Sequence, residues 1–180
     1  MKKKFFKEIP CGAQVKKAQK KYLKQIAEIA AENFSGLKGP KDAVKWVSCN
    51  FSAFPRMQYF VAITQKGPRK EIVGYILWVE KGGFRKESVW ELEQIAVKKA
   101  FQGNGIGGEL IEKSFLEIKN YLKKRKSFLK LVEVTTGTDN QAQKLYRKTL
   151  GAKKECIIKN FFRSNEAIMI ARFNRPPVKS

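Results

Sequence analysis

The chain has 180 residues, and its 38 lysines and arginines against 16 aspartates and glutamates give a formal net charge of +22 and a pI near 10.0. That length suits one domain with a sizeable core, and an apolar fraction of 43% with 13 phenylalanines excludes a disordered or fibrous chain. Histidine is absent and the three cysteines (Cys11, Cys49, Cys156) lack CxxC spacing, which argues against a metal centre and against histidine-based catalysis.

Residues 1–12 open like a signal peptide, with Lys2, Lys3 and Lys4 before Phe5 and Phe6, but Lys7 and Glu8 interrupt the apolar segment. The longest near-apolar run, 72–79, is under half of the roughly 20 residues that cross a bilayer. The expectation is a cytoplasmic chain with no membrane partner: a flexible basic extension over 1–12, a single domain over 13–173 and a flexible tail over 174–180.

Residues 14–17 read as a short strand. Helical spacing of Tyr22, Leu23, Ile26, Ile29 and Ala30 predicts a helix over 20–34, which Gly36 stops. After Gly39-Pro40, residues 42–49 suit a second helix, and Pro55 separates it from an extended run over 58–64. Residues 71–79 and 89–97 read as antiparallel strands joined through Lys81-Gly82-Gly83. From Gly105 the longest helix begins, with Ile111, Phe115, Ile118 and Leu122 on one face and Lys123-Lys124-Arg125-Lys126 where cations suit the dipole. A strand over 129–134, a helix over 140–149 closed by Gly151, and strands over 154–162 and 167–173 complete an α/β mixed sheet with helices on its faces.

The most informative stretch is the turn from the strand ending Ile95-Ala96-Val97 into the long helix, where Gly103, Gly105, Gly107 and Gly108 fall within six residues. Glycines let backbone N–H groups approach a ligand closely, and the following helix N-terminus adds partial positive charge, so the turn suits a pyrophosphate. A tight turn without a ligand is the alternative. The chain has no Walker sequence, and this turn lacks the βαβ setting and acidic partner of a dinucleotide fold.

As Gln-x-x-Gly-x-Gly after Ile-Ala-Val, the turn resembles the acyl-CoA motif of the GNAT superfamily of N-acyltransferases. A second family element, Asn-x-x-Ala-x-x-Leu-Tyr followed by Gly-Ala, is approximated by Asp139-Asn140-Gln141-Ala142-Gln143-Lys144-Leu145-Tyr146 and Gly151-Ala152, and weaker likeness covers 13–173. The resemblance implies a mostly antiparallel sheet of about seven strands with about four helices, and acetyl-CoA as co-substrate, with no metal. By that match, the backbone of Ile95, Ala96 and Val97 holds pantetheine and polarises the thioester, and Gln102, Gly103, Asn104, Gly105, Ile106, Gly107 and Gly108 wrap the pyrophosphate. Asp139 falls where the family has its asparagine and Asn140 one place late; both are weaker cofactor positions, and Thr138 to Gln141 also fits a helix capping box.

The resemblance also implies direct attack by an amine on the thioester, which needs a base, backbone donors and an acid. Tyr146 matches a tyrosine near the CoA sulfur and becomes the general acid, although it also fits a core position. Glu93, four residues before Val97, is the first candidate base and Glu133 the second. Lys98 and Lys99 beside the motif suit CoA capture. The wider charge disfavours small polycationic acceptors and favours an amine presented on a polyanion: a protein N-terminus at the ribosome, a lysine of a nucleic-acid-bound protein, or aminoacyl-tRNA. A non-catalytic basic nucleic-acid-binding module on the same fold is the alternative, and the oligomer is a monomer or homodimer. The end of the chain, with Phe161-Phe162, resembles the last hairpin of N-terminal protein acetyltransferases with phenylalanines in place of tyrosines.

Overall fold

The computed structural model describes residues 13–37, 39–66, 69–162 and 164–174. The extension over 1–12 and residues 175–180 therefore lie outside the described residues. The elements run β1 (Gln14–Lys17), α1 (Leu23–Asn33), α2 (Pro40–Ser52), β2 (Met57–Lys66), β3 (Arg69–Lys81), β4 (Glu87–Val97), α3 (Ile106–Lys124), β5 (Phe128–Gly137), α4 (Ala142–Leu150), β6 (Lys153–Ile158) and β7 (Glu166–Arg172). One sheet of seven strands has the order β1-β2-β3-β4-β5-β7-β6, and β4 with β5 is the parallel pair among antiparallel neighbours.

Alternation along the strands divides the core into two layers. On the front, Ile26 and Ile29 of α1 and Val47 of α2 pack on Tyr59, Val61, Tyr75 and Leu77. Behind the sheet, Leu110, Ile111 and Ile118 of α3 and Tyr146 of α4 pack on Ile76, Trp78, Trp90, Leu92 and Val132. Trp78 Nε1 donates to Ser114 Oγ at 2.8 Å, which fixes α3 across the sheet. The front helices lie against β2, β3 and β4. No helix among the described residues is long and apolar enough to cross a membrane.

The boundaries differ from the sequence reading at points with physical causes. The first helix opens with a 3₁₀ turn at Lys20–Tyr22, because Gln19 gives no side-chain cap, and the α-helix starts at Leu23. Pro40 is the first residue of α2, which starts earlier than expected because proline is preorganised there. β6 stops at Ile158, where the chain turns through Asn160 at φ 51°. The capping box over 138–141 does not form, since α4 begins only after Gln141. Asn140 Oδ1 instead accepts from the Ala142 N–H at 2.9 Å, and Gln143 Nε2 donates to the Gly137 and Thr138 carbonyls at 3.0 and 2.8 Å.

The far end of α3 closes in a Schellman pattern, with the Ser127 N–H on the Leu122 carbonyl at 2.9 Å and the Lys126 N–H on the Lys123 carbonyl at 3.0 Å. Lys126 thus adopts φ 56°, a conformation that glycine takes without strain. Arg125 turns inward instead. Its Nη1 donates to Glu80 Oε2 at 2.8 Å, and the Glu80 side chain is only 1% exposed. Ser88 donates to the same carboxylate, and Trp90 Nε1 donates to Ser88 Oγ at 2.9 Å, so the β3–β4 hairpin is tied to α3.

Removing one partner of a buried ion pair leaves the other uncompensated. Arg125→Met is expected to lower unfolding free energy by about 3 kcal/mol in urea denaturation, and adding Glu80→Met to recover most of that loss. A single-variant loss no larger than a surface pair gives would show that Glu80 is solvated.

Candidate cofactor and catalytic site

The parallel ladder between β4 and β5 runs from Glu87↔Phe128 only to Glu91↔Glu133. Beyond it, β4 continues to Val97 along β3, and β5 continues to Gly137 along β7. The two strands part in mid-sheet. The Lys98 N–H donates to the Val73 carbonyl at 2.8 Å, so by alternation the N–H groups of Ile95 and Val97 point to the edge facing away from β3. The Val97 carbonyl on that edge accepts from Gln102 Nε2 at 2.9 Å.

At the end of β4 the chain makes a short 3₁₀ turn over Lys99–Phe101 and enters the glycine turn. Gly103 and Gly105 have φ of 79° and 76°, which only glycine adopts freely. Gly107 is favoured for another reason: a Cβ there would sit 3.2 Å from a Leu145 methyl, a tight contact where α3 meets α4. The first-turn N–H groups of α3, at Ile106, Gly107 and Gly108, precede the first intrahelical bond, which Glu109 N–H makes to the Gly105 carbonyl at 3.2 Å. They lie on the wall of a cavity of about 580 Å³ that also takes in Ile95, Ala96, Val97, Gln102, Gly103 and Gly105.

These donors at a helix N-terminus fit a pyrophosphate, and the backbone edge of β4 fits an amide chain laid along it. The wall also holds Asn33, Phe101, Gln141, Ala142 and Leu145, which sequence reasoning missed. Asn33 ends α1, far away in the chain, and nothing local marks it. Ala142 and Leu145, three apart on the helix that carries Tyr146, were findable from helical spacing.

Other expected cofactor positions lie elsewhere. Asn104 Nδ2 donates to the Phe101 carbonyl at 3.1 Å and holds the turn together, while Asp139 is exposed and Asn140 caps α4. Lys98 is committed to Glu71 at 2.9 Å, leaving Lys99 exposed beside the turn. Tyr146 packs in the rear core at 5% exposure, and burial pushes its phenol up to about 12.

A β-bulge brings Gln94 to the same face as Glu93. Leu77 pairs with Gln94 and Trp78 with Leu92, so Glu93 is the extra residue, and both Glu93 and Gln94 meet the front. Gln94 Oε1 there accepts from the Tyr75 hydroxyl at 3.0 Å. Glu91 and Glu133 are paired in register, and Lys81 Nζ bridges them at 3.1 and 3.2 Å. Partial burial, and then the Glu91 carboxylate, push the Glu93 carboxyl above the usual range, while Lys81 opposes them. Burial pulls the Lys81 ammonium down, but Glu91 and Glu133 outweigh it, and its pKa lies above the ordinary lysine value.

The cluster has a measurable consequence. Removing the cation in Lys81→Gln is expected to move the Glu93 midpoint to still higher pH, read by carbon-detected NMR titration of the glutamate carboxyls. An unmoved midpoint would mean that the Lys81 charge does not reach Glu93.

The architecture recurs in solved structures. Over 91% of this chain and 100% of the other, it superposes on Arabidopsis thaliana NAA60 in complex with a bisubstrate analogue, with a TM-score of 0.73 at 11% identity. The NatC complex bound to Gag peptide and CoA gives 0.72 at 14% identity, covering 89% of this chain and 98% of that one. An Escherichia coli N-acetyltransferase that acts on an alanine of a ribosomal protein gives 0.64 at 18% identity, covering 92% and 97%. No curated protein matches the chain at the sequence level. The model of the Acetyltransferase (GNAT) family matches residues 23–152, and the chain belongs to that family.

Proposed function

We propose that this protein transfers an acetyl group from acetyl-CoA to a primary amine, by direct attack and without a covalent enzyme intermediate. The observation that carries this reading is the parted β4 edge running directly into the glycine turn and the N-terminus of α3. Bound there, acetyl-CoA supplies an activated acyl thioester. The N–H groups of Ile106, Gly107 and Gly108 hold the pyrophosphate, and those of Ile95 and Val97 hold the pantetheine arm and the thioester oxygen.

Glu93 takes the proton from the incoming ammonium, directly or through water, and its raised carboxyl brings it nearer to neutral working pH. Glu133 is the second candidate, although its ion pair with Lys81 makes it a poorer proton acceptor. Tyr146, whose elevated pKa keeps the phenol protonated, donates to the departing thiolate.

The acceptor is a protein N-terminus or a lysine side chain. Of the structures named above, one holds a bound Gag peptide and another is an N-acetyltransferase for a ribosomal-protein alanine, and the β6–β7 turn presents Phe161 and Phe162 to solvent. The charge of +22 favours a second reading, in which the amine is carried on nucleic acid, as in aminoacyl-tRNA.

Calorimetry with acetyl-CoA at two salt concentrations tests the cofactor site without knowledge of the acceptor. Wild type is expected to bind, and Gly105→Glu, which puts bulk and charge into the turn, to lose binding. No binding by wild type would overturn the enzyme reading in favour of a basic module.

With an acceptor in hand, Tyr146→Phe is expected to lower kcat with CoA affinity kept, and Glu93→Gln to lower it by about 10²-fold or more. Because the folded Glu93 carboxyl titrates above the usual range, wild-type rate is expected to fall on the acid side at a higher pH than an ordinary glutamate would impose. An acid limb unchanged in Glu93→Gln would remove Glu93 from the mechanism.

A further inference from the structure

A second cavity, of about 640 Å³, lies at the opposite end of α3 from the glycine turn. The helix has 19 residues, which puts the two sites about 28 Å apart at 1.5 Å per residue. Half-buried Phe128 and Phe173 contribute to its walls, and Lys86, Lys119, Lys123 and Lys126 stand exposed around it. None of these four lysines makes an ion pair among the described residues, although Lys81, Lys98, Lys113 and Lys130 all do.

We propose that this cavity binds single-stranded nucleic acid, with phosphates on the lysines and bases against the phenylalanine rings. Four cations around one opening, without a carboxylate partner among the described residues and with Lys119 resting on the Phe115 ring, match a partner with several regularly spaced charges. One carboxylate or one phosphate would engage only one or two of them. A strand also brings flat apolar faces for an aromatic wall, and base stacking on such rings does not depend on sequence. A net charge of +22 adds the long-range attraction that such binding uses.

Lys126 supplies an independent argument. It occupies the left-handed position of the Schellman turn, at φ 56°, where glycine would remove the strain. A lysine held there against local backbone preference, on the rim of a cavity, marks a side chain kept for its charge. The simpler role for these lysines is to offset the negative end of the helix dipole. That role leaves Lys126 unexplained, because the Schellman bonds already satisfy the Leu122 and Lys123 carbonyls.

The test is fluorescence polarisation of a short 5′-fluorescein-labelled oligouridylate across a salt series, with acetyl-CoA calorimetry and thermal melting run on the same proteins. Wild type is expected to bind with log affinity falling linearly with log salt, and Lys123→Glu with Lys126→Glu to weaken binding by roughly tenfold or more and flatten the slope. Lys126→Gly is expected to weaken binding while raising the melting temperature, a combination that a purely structural lysine would not give. CoA affinity should stay unchanged in both variants, so failure here is separable from failure of the acetyltransferase reading. Equal oligonucleotide affinity in wild type and the double variant would overturn the proposal. So would a duplex of the same length binding as tightly as the single strand.

Discussion

The parting of β4 from β5 is the constraint on which the rest of this structure depends. A parallel pair in the middle of a sheet normally exhausts its backbone groups, and buried N–H groups left without partners are costly. Here pairing ends at Glu91↔Glu133, and β5 satisfies its other edge with β7 while β4 stays with β3. The bulge at Glu93 bends β4 and increases its twist just past that point, so the separation is built into the ladder. Two features follow from the gap: an edge of backbone donors reached from the rear, where α3 and α4 meet, and a carboxylate cluster reached from the front. The proposed direct attack brings two substrates to one point, and the parting of the strands leaves the β4 edge open beside that point.

The same strand pairing sets the electrostatics. Without the extra residue, Glu93 and Gln94 would face opposite sides of the sheet. With it, Gln94 joins Glu93 on the front, where alternation already places Glu91, register places Glu133, and Lys81 lies among the carboxylates. Lys81 is shared by the two in-register glutamates, and desolvation with the Glu91 carboxylate pushes the Glu93 carboxyl above its ordinary value. A chain of net charge +22 therefore carries a small acidic centre at its open front. The two fields act over different ranges: beyond about 10 Å in moderate salt the positive surface is screened, and the local carboxylates decide what a nearby amine experiences.

Elements with strong periodicity or punctuation were legible in the sequence. The alternating runs of β3 and β4, the long amphipathic α3 and the glycine turn gave the sheet, its rear helix and the rear cavity, because each is specified within a dozen or so residues. What escaped was non-local or depended on register. Asn33 reaches the cavity only because α1 ends beside the glycine turn, and Lys81 meets Glu133 only through strand pairing. Simple alternation in Trp90-Glu91-Leu92-Glu93 already puts Glu93 on the front, but nothing in it marks the bulge that brings Gln94 to the same side. Thr138 to Gln141 fitted a capping box by spacing, yet Asn140 accepts from the first helical N–H while Gln143 ties the preceding turn, because the helix begins after Gln141.

The run Lys123-Lys124-Arg125-Lys126 shows how neighbouring residues of one charge come to do different work. As sequence it is a single basic cluster at a helix end. In the fold, the C-terminal turn rotates Arg125 inward, where its planar fork takes two oxygens of a buried carboxylate, a geometry that lysine cannot match. That bond fixes the end of α3, and the Schellman bonds settle the helix carbonyls. The flanking lysines are thereby released from structural duty. Their charge is uncompensated and their positions are held by the helix, so they present cations at fixed spacing instead of on a mobile tail. A strained backbone at Lys126 is tolerable there because the Arg125–Glu80 pair and the buried Leu122 anchor the turn on its interior side.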